Sequence, residues 1–300
     1  TRANKYHSPK PNIVVPFSAH PAFGKAGMAM DIEVRQIPVK DDFRADVAAM
    51  AAAIDEDTIM LVGSAPSMSY GLFDPISELS ELALQKNIWL HVDACGGGYL
   101  APFAKKLGHP IPDFDFSVPG VRSISADLHK MGYCPKPAST VLYRSSEFYK
   151  YQAFDYDKWP HGPFFSPNLT NTRPGGSVAA AWSVMQYLGE SGYLEIAERT
   201  LKMTQSYIEG IKKIEGLSLW CDPELSIILF GSKEMDIFKV AERLTERRWF
   251  CSLVQTPKGI HQTQTLVHET CREEYLADLA SAVEETRQGM ATGKKMEPTY

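Results

Sequence analysis

Three side chains capable of chemistry each follow a short apolar run. In SISADLHKMGYCPK, residues 123–136, a run of core character from Val121 ends in Asp-Leu-His-Lys. His129 and Lys130 therefore stand at its end, with a second lysine, Lys136, six residues on. Lysine is among the residues least often fully buried. One held at a sheet edge with restricted solvent is expected to have a lowered pKa, which frees its amine to attack a carbonyl. In IWLHVDACGGGYL, residues 88–100, strand alternation sets His91, Asp93 and Cys95 on one face. All three are metal-ligand types, but zinc takes three or four converging ligands and rarely takes them consecutively from one strand, so no metal is expected. A carboxylate capping the Gly96–Gly98 turn is a stronger rival. Asp93 otherwise stands where ligands of open α/β sheets bind, beyond the carboxyl ends of strands. A carboxylate there needs a cationic partner to offset its lost hydration. In VVPFSAHPAFGKA, residues 14–26, His20 also follows an apolar run. Alone, a histidine in that place is more often a hydrogen-bonded structural residue than a catalyst.

Taken together the three residues meet one chemical need. Pyridoxal phosphate requires a Schiff-base lysine, a carboxylate for the pyridinium nitrogen and often a flat group stacked on the ring. The carboxylate keeps that nitrogen protonated, so the ring can accept the electron pair left when a bond to the substrate's Cα breaks. Lys130, Asp93 and His20, each just past a separate strand of one sheet, are candidates for the three parts.

The elements that must position them alternate. Asn12–Pro16, Glu33–Val39, Thr58–Gly63, Ile88–Asp93, Val121–Ser125 and Ser139–Tyr143 read as strands rich in Val, Ile and Leu. Pro21–Met30, Asp46–Ile54 and Pro75–Lys86 read as helices between them. Apolar strands separated by helices imply the α/β class, with a mostly parallel sheet covered on both faces. Phe154–Gly176, rich in Pro, Gly, Asn and aromatics, reads as a long functional or interface loop. Helices follow over Ser177–Gly189 and Tyr193–Ile214, with a break expected near Gly192. Beyond Gly216 the pattern is strand Leu225–Phe230, helix Met235–Arg247, strands Phe250–Val254 and Thr263–Val267, then helix Arg272–Gln288. The reading is two domains, residues 1–190 binding cofactor and residues 191–300 forming a smaller α+β domain. The polar tail from Gly289 is expected to fray.

Composition narrows the class. The 300 residues carry 44% hydrophobic and 22% charged residues, ordinary for a globular enzyme. A net charge of -5 with scattered basic residues gives no reason to expect a nucleic-acid partner. No apolar run approaches a membrane span. Five cysteines far apart, without a CxxC pair, suggest reduced thiols and a cytoplasmic compartment. The first residue is Thr1, so an upstream segment, including a membrane anchor, is compatible with the sequence.

SAHPAFGKA, LHVDACGGGYL, SISADLHKMGYCPK and TRPGG occur in the order and spacing of the sphingosine-1-phosphate lyases, and the chain resembles that family over nearly its whole length. These lyases belong to the group II decarboxylase branch of fold type I. The His-Lys pair and His-Val-Asp-Ala are shared with many decarboxylases and specify cofactor better than substrate. SADLHKMGYCPK and AHPAF point more narrowly to the lyase. The resemblance implies that Lys130 carries the cofactor, Asp93 pairs with its ring nitrogen and His20 stacks on the ring. It places His129 by the cofactor phosphate and brings Gly175 and Gly176 to that phosphate from the neighbouring subunit of a homodimer. Lys136 matches a lysine near the substrate and its phosphate; its plain alternative is a solvated loop cation. Cys95 reads as a packed neighbour of Asp93, and Arg173 as a holder of the interface loop or of an anion. The implied substrate is a phosphorylated long-chain amino alcohol, cleaved between C2 and C3 to a fatty aldehyde and phosphoethanolamine. An amino-acid decarboxylase on the same scaffold is the alternative, and a non-catalytic interaction protein with an incomplete site the second. The last is motivated by the family's first glycine-rich phosphate loop, which nothing before residue 12 resembles; as further departures, Met131 stands where an aromatic residue is common and Pro137 where glycine is.

Overall fold

A computed structural model of the chain describes residues 10–170 and 172–291. The chain divides into two units. The first unit comprises the chain up to Ser67 together with Phe73–Leu100 and Pro112–Gly189. Its six-stranded sheet runs β2-β1-β3-β4-β5-β6. The strands are β1 Asn12–Pro16, β2 Glu33–Ile37, β3 Thr58–Ser64, β4 Trp89–Asp93, β5 Val121–Asp127 and β6 Ser139–Tyr143. Every neighbouring pair is parallel except β5 with β6. β1 is buried at all its positions, as a parallel strand covered on both faces must be.

Helices α1 (Ala22–Met30), α2 (Val47–Ala52) and α3 (Ile76–Lys86) connect the parallel strands. The Asp46 carboxylate caps α2 by accepting from Ala49 N at 3.0 Å. A Cβ added at Gly63 of β3 would fall 2.6 Å from Ile76 Cδ1, so glycine is what lets α3 press onto that strand. One irregularity bears directly on the edge of the sheet that carries Asp93. Leu90 of β4 pairs with Val121 of β5, but His91 pairs with Ser123, which leaves Arg122 as an extra residue on β5.

The structure departs from expectation at several points. The segment read as one long loop contains a two-stranded hairpin, β7 Phe154–Tyr156 with β8 Phe164–Ser166. Short helices α4 (Ala101–Lys106) and α5 (Ser146–Tyr149) carry too few residues to show a period. The following helix, α6 (Gly175–Lys212), breaks at Gly189, where the first of the two expected helices ends, three residues before Gly192. Gly189 sits at φ 58°, ψ -171°, a conformation open essentially to glycine alone, whereas Gly192 lies in the helix that continues from it.

The second unit comprises Glu190 onward, with Met68–Leu72 and Ala101–Ile111, pieces that a single cut near 191 leaves in the first. Its sheet runs β11-β12-β10-β9 and is antiparallel. Here β9 is Ser218–Leu219, β10 Ile227–Gly231, β11 Ser252–Gln255 and β12 Lys258–Thr263. α7 (Ile237–Glu246) and α8 (Arg272–Arg287) share a core with this sheet through Ile228, Phe230, Val240, Leu244 and Leu279. The strand expected at Thr263–Val267 is shifted. Gln255 pairs with Lys258, so Thr256-Pro257 is a two-residue turn and the second strand ends at Thr263. Leu266–Glu269 is instead a 3-10 turn, closed by Thr265 and His268 capping each other's backbone. Of the tail expected to fray from Gly289, residues 292–300 lie outside the described residues.

Candidate active site

Parallel pairing aligns the carboxyl ends of β1, β3, β4 and β5 along one edge of the first sheet. The loop after β1 carries His20, the end of β4 carries Asp93, and the turn after β5 carries His129 and Lys130. This edge is where open α/β sheets bind ligands.

Asp93 is 7% exposed, and its Oδ1 accepts two hydrogen bonds: from Cys95 N at 3.1 Å and from the Ser125 hydroxyl at 2.8 Å. The first is the turn-capping bond expected of a carboxylate before Gly96–Gly98. An ionised carboxylate offers about four lone-pair sites, so capacity remains. The Cys95 thiol interacts with both Asp93 and Lys130, and through it the acid and the amine come together. Burial, reinforced by the Asp93 charge, pushes that thiol up to about 12, so it is a neutral spacer and not a thiolate nucleophile.

Lys130 contradicts the expected lowered pKa. Burial does act to lower it, but hydrogen bonds to the Cys95 sulfur and the Asp127 carboxylate outweigh burial and raise it above the ordinary lysine value. Because the thiol stays protonated, Asp127 is the anion that holds the charge at neutral pH; its Oδ2 lies 3.1 Å from Nζ. The same oxygen lies 3.7 Å from His129 Nε2. His129 Nδ1 accepts from Ala138 N at 3.3 Å, and His129 N donates to Ala138 O at 3.1 Å, so the histidine closes the Lys130 loop on itself. Leu128, Cys134 and Ala138 bury against Ala181 of α6, with Tyr99 and Val184 around them. The turn that carries Lys130 is thereby fastened to the first turns of that helix.

His20 is fixed by its own helix start: Nδ1 accepts from Ala22 N at 3.1 Å. Phe23, three residues on, meets the His91 ring edge-on at 5.9 Å between centroids, which sets the beginning of α1 over the face of β4 that carries Asp93. Among the described residues no hydrogen bond or ion pair is seen between the His20 side chain and Asp93 or Lys130. Lys136 is exposed in the loop before β6, as are Gly175 and Gly176 at the start of α6 and Arg173 just before them. A Cβ at either glycine would meet nothing within 4 Å. Among the described residues no group of three or more His, Cys, Asp or Glu is arranged to hold a metal ion.

His91, placed on the Asp93 face from the sequence, is joined there by three residues that sequence reasoning missed: Trp89, Ser123 and Ser125. Trp89 Nε1 donates to Ser123 Oγ at 2.7 Å, Ser123 Oγ and His91 Nδ1 are 2.8 Å apart, and His91 Nε2 and Ser125 Oγ are 3.2 Å apart. Burial pushes the His91 pKa down, against the pull of the Asp93 charge. The alternation Ser123, Ser125, Asp127 on β5, facing Trp89, His91, Asp93 on β4, was the available signal; the skipped Arg122 is why facing positions do not follow by counting.

Residues 3–233 match the pyridoxal-dependent decarboxylase conserved domain. The chain is 44% identical over 275 residues to the sphingosine-1-phosphate lyase of Arabidopsis thaliana, covering 92% of this chain and 51% of that protein. It is 38% identical over 272 residues to an L-aspartate/L-glutamate decarboxylase of Pyrococcus horikoshii, covering 90% and 70%. The solved sphingosine-1-phosphate lyase of Burkholderia pseudomallei superposes with a TM-score of 0.89 at 37% identity, over 94% of this chain and 65% of that one. The chain thus spans about half the length of the plant lyase it matches.

Proposed function

The chain belongs to the pyridoxal-dependent decarboxylase family, and from that premise we propose that it acts with pyridoxal 5'-phosphate as a carbon–carbon lyase. Its substrates are phosphorylated long-chain amino alcohols of the sphingosine-1-phosphate type, and its products a fatty aldehyde and phosphoethanolamine. The observation that carries this reading is the likeness to sphingosine-1-phosphate lyases over nine tenths of the chain, through the loops that hold Asp93 and Lys130.

The residues at the sheet edge fit this cofactor. A buried carboxylate with spare acceptor capacity and a primary amine meet across Cys95. On neighbouring loops of the same edge, after β1 and β3, the Ser18 and Ser67 hydroxyls are buried and find no partner among the described residues, as donors awaiting an acceptor would be. Lys130 would hold the cofactor, Asp93 its ring nitrogen and His20 its ring face. His129 would lie by its phosphate, with Gly175 and Gly176 of a second subunit. When bound, the group supplies a conjugated ring that takes up the electron pair released as a substrate bond at Cα breaks. Asp93 keeps a proton on the ring nitrogen, and negative charge fixed before the reaction costs no reorganisation during it. Asp127 keeps Lys130 Nζ protonated until loading, so the proton must leave Nζ before the amine is of use. Lys136 remains the cation offered to the substrate's phosphate.

A homodimer is part of this reading. It is supported by apolar side chains left exposed near the loop that precedes α6 and on its first half: Phe165, Leu169, Trp182 and Tyr187. A cytoplasmic location is supported by five free cysteines. Among the described residues no helix is long and apolar enough to cross a membrane.

An amino-acid decarboxylase is the second reading, favoured by the Pyrococcus relative, of which the chain covers 70%. The two separate in one experiment. The protein is supplied with pyridoxal phosphate and offered a sphingoid-base phosphate, then a panel of amino acids. Long-chain aldehyde with phosphoethanolamine is expected; carbon dioxide without aldehyde overturns the lyase.

A further inference from the structure

The polar ladder on β4 and β5 has a donor-only group at one end and an acceptor-only group at the other. An indole N–H can only donate, and an ionised carboxylate can only accept. Ser125 Oγ, 2.8 Å from Asp93 Oδ1, must therefore spend its single proton on Asp93. His91 Nε2, 3.2 Å from the same Oγ, can then only donate to it. At the other end Ser123 Oγ accepts from Trp89 at 2.7 Å and turns its own proton to His91 Nδ1 at 2.8 Å. Both rings are held in place: Phe23 meets the edge of His91, and Phe148 meets Trp89 with centroids 5.3 Å apart.

We propose that Trp89, Ser123, His91 and Ser125 form a one-way hydrogen-bond relay ending on Asp93, with His91 as a neutral positioning residue that carries its proton on Nε2. Its consequence for the site is orientation. Ser125 is kept pointing at Asp93 because its acceptor side is occupied by His91, and Asp93 is thereby held in one rotamer. In this respect the inference rests on the role of Asp93 given under Proposed function. A ligating or basic group is served in the same way when its outer partners fix tautomer and rotamer.

The relay is tested on the cofactor-free chain with ¹⁵N-labelled histidine. Ring nitrogen shifts report tautomer and charge, and His91→Gln identifies the His91 signals among eight histidines. The expected result is a neutral ring protonated on Nε2 at pH 7. A proton on Nδ1, or a charged imidazolium at that pH, overturns the proposal. Ser125→Ala removes the link and Ser125→Thr restores the hydroxyl. In the alanine variant the Nε2 proton signal moves and pyridoxal phosphate binds roughly tenfold more weakly, the scale of losing one hydrogen bond to a charged group; the threonine variant returns both toward the starting values. Equal effects in the two variants sink the relay, since a merely structural loss does not respect the hydroxyl. Absence of pyridoxal phosphate binding to the unsubstituted protein strikes the proposed function instead, because the tautomer is read without cofactor.

Discussion

Asp74 and Asp93 are both buried carboxylates at the carboxyl edge of the first sheet, and they are held in opposite ways. Asp74 is 3% exposed and accepts two backbone hydrogen bonds, from Ser64 N at 2.7 Å and Ala45 N at 2.9 Å. It ties the end of β3 to the segment before α2. Burial outweighs those bonds and lifts its pKa to about 6. Asp93 takes one backbone bond and one from a serine hydroxyl, with a histidine behind that serine and an amine beyond the neighbouring thiol. Both of these hydrogen bonds to Asp74 come from main chain, with the Arg44 charge nearby. Asp93 divides its two between main chain and a serine hydroxyl, a side-chain partner that a ligand can meet and reorganise. Burial alone does not mark a site; the kind of partner does.

Several measurements break or sharpen that contrast. The largest effect belongs to Lys130→Ala, which should lower lyase turnover by roughly a thousandfold or more and abolish the pyridoxyl adduct trapped by borohydride. An adduct on another lysine defeats the assignment. Asp93→Asn should cut turnover by about a hundredfold or more while leaving the denaturation midpoint nearly unmoved. Asp74→Ala should do the reverse: two orphaned buried N–H groups cost about 2–5 kcal/mol of unfolding free energy, with activity per folded molecule unchanged. If the two variants gave the same pattern, the distinction between the carboxylates would be lost.

The pH responses are smaller and carry definite signs. The Asp74 pKa is raised on folding from 3.8 to about 6. Its stabilising contribution is therefore complete below about pH 4 and is lost as pH rises through about 6, a swing of roughly 3 kcal/mol. Unfolding measured across that range should show this component in the starting protein and not in Asp74→Asn. For Lys130, a raised pKa means that the unprotonated amine grows only with alkaline pH. The rate of pyridoxal phosphate capture should climb through pH 8–10, and Asp127→Asn should shift the climb to lower pH. A rate flat over that range counts against Asp127 as the anion that holds the charge.

Much of the framework is legible in the sequence because it follows from alternation and punctuation. The five parallel strands and helices α1, α2 and α3 are short runs, apolar except at the edge strand β2, bounded by proline, glycine and caps such as Asp46, signals local in sequence. The second-unit strand at 263–267 is misjudged because the turn at Thr256-Pro257 fixes the register and carries the strand to an earlier stop. The break in α6 is misplaced at Gly192 because the sequence does not say which of two nearby glycines adopts positive φ. In the site, Lys130, Asp93 and His20 are legible as chemical types at strand ends, since topology brings such ends to one edge. The charge on Lys130 is not, because Asp127 lies on a strand and reaches the amine only through the turn at Leu128. Nor is the His91 ladder, for two serines opposite a histidine are common residues until pairing puts them there.

The skipped residue at 122 has a wider consequence. Were it paired and not skipped, His91 would face Arg122 and Asp93 would face Ile124, and both serines would turn to the other side of the sheet. Arg122 instead leaves the ladder, its guanidinium resting against the Trp89 and Phe148 rings. The offset works as a phase shifter: the same amino acids, matched without it, would keep the hydropathy of β5 while exchanging its wet and oily sides. A chain one residue shorter here would preserve the serines by unbroken pairing, whereas one a residue longer would keep Ser123 opposite His91 and Ser125 opposite Asp93 only by skipping twice. Length at a single position, as much as residue type on either side of it, sets which side chains of β5 stand opposite Asp93.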